Sequence, residues 1–188
     1  MILTRDNEYC AVLDTCVLAP MPLCDTLLRC AEEPALYRAA WSEETLEELR
    51  RTLVKFGYKK SQAMRRIQNM REAFPDASVA VPTNLLQAVP EIPDPEDKHV
   101  VAAAIRVHAQ AIVTFNLRDF PEEIMKPYGI LVQSPDDFLL HQYHLDPDRI
   151  EDVLDIQASG IGKRRSYVLE RLQTGLPGFV ALVTGSRL

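Results

Sequence analysis

Short apolar runs alternate with segments of helical periodicity along the first 134 residues, and this alternation constrains the fold more than any other feature. The apolar runs predict buried strands at residues 9–13, 36–41, 78–81, 111–113 and 130–132. Strands that are separated by helices pair in parallel through right-handed crossovers. We therefore predict an α/β fold, a three-layer α/β/α sandwich with a mostly parallel central sheet.

The clearest helical segment covers residues 43–56. Ser42 is placed to cap its N-terminus, and Gly57 is placed to end it. Leucines at helical spacing form its apolar face: Leu46, Leu49 and Leu53. This pattern predicts an amphipathic helix that packs on the sheet.

A second helix, predicted over residues 61–74, belongs to a basic stretch. Its buried side is expected to hold Met64, Ile67 and Phe74. No acidic residue lies between positions 50 and 71, where the basic residues are Arg50, Arg51, Lys55, Lys59, Lys60, Arg65, Arg66 and Arg71. The net charge of −6 argues against a protein that coats nucleic acid. The basic stretch is therefore either a solvated helical surface or a local contact for a polyanion.

After Ser134 the pattern is helical. Helices are predicted near residues 136–142 and 164–173, and another begins after Asp146, its expected N-cap, with Pro147 in the first turn. We predict an α/β domain over residues 1–134 and a helical C-terminal extension over residues 135–188.

Composition excludes several classes of protein. No apolar run approaches the roughly 18–20 residues that a membrane span needs, so no membrane association is expected. The first residues lack the apolar segment of a secretory signal, and we expect a cytoplasmic protein. The four cysteines contain no CxxC pair, which favours reduced, buried thiols over a metal or redox cluster: Cys10, Cys16, Cys24 and Cys30.

Acidic residues follow the predicted strands. The carboxyl ends of parallel strands meet at one edge of the sheet, where ligands bind in open α/β folds. The residues expected at this edge are Asp14, Glu43, Glu44, Glu47, Glu48, Asp94, Glu96, Asp97, Asn116 and Asp119. Any single carboxylate here could simply cap a helix. Several together repel one another unless a cation offsets them, and Mg²⁺ or Mn²⁺ suits oxygen ligands best.

Helical spacing separates the candidates within each acidic segment. Glu48 lies next to the apolar face of its helix, so we favour it over Glu44, one turn earlier. Asp97 lies three residues before Val100, on the buried side of the next helix, and Asp94 precedes it by one turn. Both aspartates could contribute to a site.

These segments together resemble the PIN domain family of metal-dependent ribonucleases, most closely the VapC-type toxins of bacterial toxin–antitoxin pairs. The matching segments are "VLDTCVL" at 12–18, "SEETLEEL" at 42–49, "DPEDKHVVAAA" at 94–104 and "IVTFNLRDF" at 112–120. The resemblance extends over residues 9–134, in the order and spacing of the family. The last two segments are the more specific ones.

The resemblance implies a catalytic, metal-binding quartet made of Asp14, Glu48, Asp97 and Asp119. It also implies supporting roles for Asn116, Asp94, Thr15 and Thr114. The position of Cys16 is commonly a small polar residue in this family, which weakens the expectation of a supporting hydrogen bond there. Residues 135–188 resemble the C-terminal appendage of some longer VapC-like proteins.

The activity implied by the resemblance is hydrolysis of RNA phosphodiester bonds by a Mg²⁺- or Mn²⁺-dependent endoribonuclease. The RNA backbone would then need positive charge on its path, and the first candidates are Arg50, Arg51, Lys55 and Lys59. The implied partners are the RNA substrate and a VapB-type antitoxin that places an arginine among the carboxylates. Homodimerisation is implied on the same ground.

Two alternatives remain open. PIN-fold nucleases also process RNA outside toxin systems, and the acids could be structural in a catalytically silent module that binds RNA or a protein. Other chemistries fit less well. A HAD-type phosphatase or a receiver domain needs further paired acids, His141 and His144 have no third metal ligand nearby, and no glycine-rich phosphate loop is present.

Overall fold

The computed structural model describes residues 9–185. Its five strands form one sheet in the order β3-β2-β1-β4-β5. The strands are Cys10–Leu13 (β1), Arg38–Ser42 (β2), Ser78–Val79 (β3), Ala111–Val113 (β4) and Leu131–Gln133 (β5). Within the described residues every strand pairing is parallel. The predicted parallel sheet is thus confirmed.

Helices connect the strands and extend beyond the last of them. They are Thr15–Leu18 (α1), Met21–Cys30 (α2), Glu43–Lys55 (α3), Lys60–Ala73 (α4), Thr83–Ala88 (α5), Lys98–Arg106 (α6), Glu122–Met125 (α7), Pro135–Leu145 (α8), Pro147–Gly160 (α9), Arg165–Leu172 (α10) and Pro177–Thr184 (α11). Short 3₁₀ turns cover Pro95–Asp97, Leu117–Asp119 and Lys126–Tyr128. As predicted, Ser42 and Asp146 cap α3 and α9 with their side chains.

The sheet separates two hydrophobic cores. Side chains alternate across a strand, so Leu13 faces one core while its neighbour Val12 faces the other. The first core holds residues of α2, α3 and the C-terminal helices, and the second holds those of α6 and α7. The three-layer α/β/α arrangement is therefore confirmed.

The C-terminal helices pack on the first face of the sheet. Phe138, Ile150 and Phe179 are fully buried in the same core as Trp41. The ring of Phe138 contacts Tyr37 edge to face, with ring centroids 4.9 Å apart. The four helices α8–α11 thus share apolar surface with the sheet, and their description as a separate domain from residue 135 stays a prediction.

The buried side of α4 differs from the predicted one. Met64 is 62% exposed, whereas Ala63 and Met70 are buried. Ile67 and Phe74 do pack against the core, in part. The buried or partly buried positions therefore follow the helical spacing 63, 67, 70 and 74, which puts Ala63 and not Met64 on the buried face.

The cysteines agree with the prediction of reduced thiols. All four are free, and Cys10, Cys24 and Cys30 are buried, while Cys16 is partly exposed. Across residues 9–185, the helices are all too short or too polar to cross a membrane.

Candidate active site

The predicted acidic residues lie at the edge where the parallel strands end. Asp14 directly follows β1, and its backbone amide bonds to the Val113 carbonyl at the end of β4. Asp14 and Asp97 stand at the N-cap positions of α1 and α6, yet neither side chain makes a capping hydrogen bond. Helix capping therefore does not explain these two carboxylates.

Asp14 is held by two neighbours, Cys16 in α1 and Thr114 just after β4. It is 3% exposed, and its Oδ2 accepts a 2.7 Å hydrogen bond from the Thr114 hydroxyl. The Cys16 thiol donates to the same oxygen at 3.1 Å. A buried carboxylate with two donors is fixed in position, because moving it would leave buried polar groups unpaired.

Cys16 takes part in the site more than its residue type suggested. Besides its contact with Asp14, its Sγ lies 3.3 Å from the Thr114 hydroxyl and accepts a hydrogen bond from the Phe115 amide at 3.2 Å. Burial, together with the charge of Asp14, raises the pKa of the Cys16 thiol to about 12. The thiol therefore keeps its proton and can donate to Asp14 across the physiological range, which corrects the weaker role expected from the sequence.

Glu48 is the member of the α3 acidic segment that faces the site. Its Oε2 accepts a 2.9 Å hydrogen bond from the Thr15 hydroxyl, and its Oε1 lies 3.3 Å from Nε2 of His99. Partial burial raises the pKa of Glu48, but the hydrogen bonds from His99 and Thr15 outweigh it and lower the pKa overall. Glu44 instead forms an ion pair with Arg51 at the surface.

His99 was not among the predicted site residues. It is 6% exposed, and its Nδ1 lies 2.7 Å from the Ser42 hydroxyl. Because an ionised Glu48 can only accept, Nε2 carries the proton, and in the neutral ring Nδ1 accepts from Ser42. The available signal was its position in the sequence, two residues after Asp97 at the start of a helix.

Asp97 lies within the electrostatic field of the other acids. Burial, together with the charges of Asp14, Asp94, Glu48 and Asp119, raises its pKa from 3.8 to about 7. The four predicted quartet members are thus close enough to influence one another. This mutual repulsion is the property that the sequence predicted for carboxylates at one sheet edge.

The supporting residues differ in their roles. Thr15 and Thr114 each donate a hydrogen bond to a predicted metal ligand. Asp94 is exposed and caps the 3₁₀ turn before α6, accepting from the Glu96 amide at 2.9 Å. Asn116 is exposed; its backbone amide donates to the Thr114 hydroxyl, and its side chain makes no capping bond.

The donor set suits a divalent cation by its chemistry. Asp14, Glu48, Asp97 and Asp119 are all oxygen donors, and in the described part of the chain none of them forms an ion pair with Lys or Arg. Between residues 9 and 185, no group of three or more His, Cys, Asp or Glu side chains is arranged so that it could hold a metal ion as it stands. The residue types and their mutual repulsion therefore suit a cation, and a shared ion would require these side chains to move closer together.

A cavity of about 550 Å³ opens beside Glu48, the one member of the predicted quartet among its described lining residues. Its polar wall contains Ser42, Glu48 and His99, and its apolar wall contains Val81 and Leu86. A cleft with convergent polar groups next to residues of perturbed pKa is typical of an active site.

The predicted RNA-binding residues differ in whether an ion pair already neutralises their charge. Arg50 pairs with Glu47 at 2.9 Å, and Arg51 pairs with Glu44. Lys55 and Lys59 are exposed and form no ion pair within residues 9–185. Elsewhere in the basic stretch, Arg71 pairs with Glu43, and Arg66 donates to the carbonyls of Leu18 and Ala19.

Comparison with known proteins agrees with this geometry. The chain is 48% identical over 59 residues to the "Putative ribonuclease VapC50" of Mycobacterium tuberculosis; the matched stretch covers 31% of this chain and 35% of that protein. This chain thus spans about a third of the length of that relative. No solved structure matches the chain. A model of the PIN domain matches residues 10–118, more than half of the sequence. The chain therefore belongs to the PIN domain family.

Proposed function

We propose that this protein is an endoribonuclease that hydrolyses RNA phosphodiester bonds with the aid of a divalent cation, Mg²⁺ or Mn²⁺. The observation that supports it best is the acidic edge of the sheet, where four carboxylates lie in one electrostatic field and none forms an ion pair with a Lys or Arg among residues 9–185. Membership in the PIN domain family supports the same activity. The name of the partly matching mycobacterial protein also points to a ribonuclease.

The proposed metal ligands are Asp14, Glu48, Asp97 and Asp119. When bound, the cation supplies Lewis-acid stabilisation of charge on the phosphate and lowers the pKa of the attacking water. Thr114 and Cys16 orient Asp14, while Thr15 and His99 orient Glu48. Fixed ligands of this kind reduce the reorganisation that the reaction requires.

Basic side chains on α3 and in the α3–α4 loop would guide the RNA backbone to the acids. The proposed residues are Arg50, Arg51, Lys55 and Lys59. Lys55 and Lys59 are the stronger candidates, because the charges of Arg50 and Arg51 are already partly neutralised by glutamates.

We further propose that the nuclease is the toxin of a VapBC-type pair in the cytoplasm. Its partner would be a VapB-type antitoxin whose arginine occupies the acidic site, and the nuclease would form homodimers. The resemblance to VapC-type proteins supports this proposal. The carboxylates of the site also carry an excess of negative charge, and an arginine side chain could bind them through charge-assisted hydrogen bonds.

The experiment compares cleavage of single-stranded RNA by the native chain, Asp14→Asn and Asp97→Asn, in Mg²⁺, Mn²⁺ or EDTA. We expect cleavage only by the native chain and only with the metal. Glu122→Gln, an exposed acid on α7, serves as the control and should cleave normally. Equal cleavage by all variants would end the enzyme hypothesis. A thermal melt tests metal binding separately from activity. We expect Mn²⁺ to raise the melting temperature of the native chain but not that of Asp14→Asn.

A further inference from the structure

Three adjoining cavities form a groove between the start of α2 and α10, which we call the α10 groove. Their volumes are about 210, 610 and 210 Å³. Pro22 and Arg171 line all three, and Met21 and Tyr167 line the first two. The shared residues show that the three cavities adjoin one another.

One end of the α10 groove lies next to the acidic site, although none of the four acids lines its cavities. Phe115 lines this end, and its backbone amide bonds to Cys16, which in turn contacts Asp14. The Phe115 ring is 42% exposed and lies against Gly175, in the loop between α10 and α11. The C-terminal helices therefore extend the surface next to the site.

Two exposed tyrosines and Arg171 line the rest of the groove, and Lys163 lies beside it, next to Tyr167. Tyr167 is 39% exposed; Lys163 Nζ lies 5.5 Å from its ring centroid, and the guanidinium carbon of Arg171 lies 6.0 Å away. Tyr58, 38% exposed, lines the same central cavity. The cations keep a positive charge beside an exposed ring, as in cation–π pairs.

Two acidic residues also line the groove. Asp25 is paired with Arg29, which neutralises much of its charge. Glu170 is exposed at the rim of the central cavity. Neither removes the positive charge of Lys163 and Arg171, which contact the aromatic ring.

We propose that the α10 groove binds the single-stranded RNA that flanks the scissile bond. Phe115, Tyr58 and Tyr167 would stack on successive bases, while Arg171 and Lys163 would meet the phosphates. Base stacking on exposed rings, combined with nearby cations, is the usual means of holding single strands without reading a sequence. The inference rests on the proposed ribonuclease function, and it gives the C-terminal helices a role in substrate binding.

The test measures binding of a fluorescein-labelled single-stranded RNA of about 12 nucleotides by anisotropy. All variants are made in the Asp14→Asn background so that the RNA stays intact. We expect Tyr167→Ala to weaken binding about 10-fold and Tyr167→Phe to bind as before, because the ring is retained. Arg171→Ala should lower the salt slope of binding by about one.

Matched controls lie at the opposite edge of the sheet. Tyr128→Ala removes another exposed tyrosine, and Arg106→Ala removes another exposed arginine. Both should bind RNA as the parent does. Thermal melts of Tyr167→Ala and Arg171→Ala should match the parent, since both side chains are exposed.

Unchanged RNA affinity in Tyr167→Ala and Arg171→Ala would overturn the proposal, even if the native chain cleaves RNA and the ribonuclease function stands. Equal competition by duplex RNA would also overturn it, because paired bases cannot stack on the rings. If Tyr167→Ala loses self-association at unchanged RNA affinity, the groove belongs to a second copy of the chain. Absence of both binding and cleavage by the native chain would reject both proposals together.

Discussion

The hydroxyl of Thr114 donates a 2.7 Å hydrogen bond to the carboxylate of Asp14, across 100 residues of sequence and in full burial. Because β1 and β4 are neighbours in the sheet, the ends of two strands hold this one acidic side chain. The Thr114 hydroxyl is itself held in place, because it also accepts a hydrogen bond from the Asn116 amide.

We therefore predict that Thr114→Val lowers RNA cleavage by at least 10-fold and costs about 1–3 kcal/mol of folding stability, because a buried carboxylate loses a donor. Thr114→Ser keeps the hydroxyl and should retain most of the activity. The measurements are initial cleavage rates and chemical denaturation. Equal rates for the Val and Ser variants would show that the hydrogen bond does not orient Asp14.

His99 connects Ser42 to Glu48, and its loss should loosen a proposed metal ligand. We predict that His99→Ala weakens Mn²⁺ binding about 10-fold, as measured by isothermal titration calorimetry, because residues that orient ligands contribute this much to metal affinity. His99→Gln can still donate to Glu48 and should recover part of the loss. His144→Ala, an exposed histidine on α8, is the control. Metal affinity that is unchanged in His99→Ala would contradict the positioning role.

The metal-free protein should lose stability between about pH 4 and pH 7. The folded state raises the pKa of Asp97 from 3.8 to about 7, so in this window the folded chain keeps a proton that the unfolded chain releases. Stability from this group is thus present below pH 4 and is lost as the pH rises to 7.

In EDTA at pH 8, we expect Asp97→Asn to be about 1 kcal/mol more stable than the native chain, which corresponds to about 2–4 °C in melting temperature. This difference in the free energy of unfolding is well below the value that the full pKa shift of Asp97 would give, because the side chain is partly exposed and solvent screens its charge. At pH 4 the difference should vanish. Thermal melts across the range measure it, with Glu122→Gln as the control; a gap that does not vary with pH would argue against the electrostatic origin.

Lys55 and Lys59 should contribute more to RNA binding than their ion-paired neighbours. We predict that Lys55→Ala with Lys59→Ala lowers the salt slope of RNA binding by about two, one for each released phosphate contact. Lys126→Ala, an exposed lysine far along the chain, should leave the slope unchanged. If the double variant and the parent show the same salt slope of RNA binding, the α3–α4 loop does not lie on the RNA path.

Arg66 should act on stability instead of RNA binding, although it belongs to the same basic stretch. It donates to the carbonyls of Leu18 and Ala19 and so attaches α4 to the end of α1. Arg66→Ala should cost about 1–2 kcal/mol in chemical denaturation, while the exposed Lys60→Ala should cost little. Equal costs for both variants would refute the structural assignment.

The sequence by itself determined the five strands, the helices α3, α4, α6 and α8–α10, and the edge of the sheet where Asp14, Glu48 and Asp97 lie. Hydrophobic periodicity reports which segments are buried, and parallel pairing then brings all strand ends to one edge. The helical phase was also sufficient to choose Glu48 over Glu44. It failed for Met64, because spacing alone did not distinguish this residue from its apolar neighbour Ala63, which is the buried one.

Only the tertiary structure decided which side chains meet. The contacts of His99 with Ser42 and Glu48, and of Cys16 with Thr114, join residues far apart in sequence. The same holds for the α10 groove, whose walls come from both ends of the chain. Periodicity specifies which face of an element is buried, but the partner of each side chain depends on how the elements pack, and that is settled only when the whole core forms.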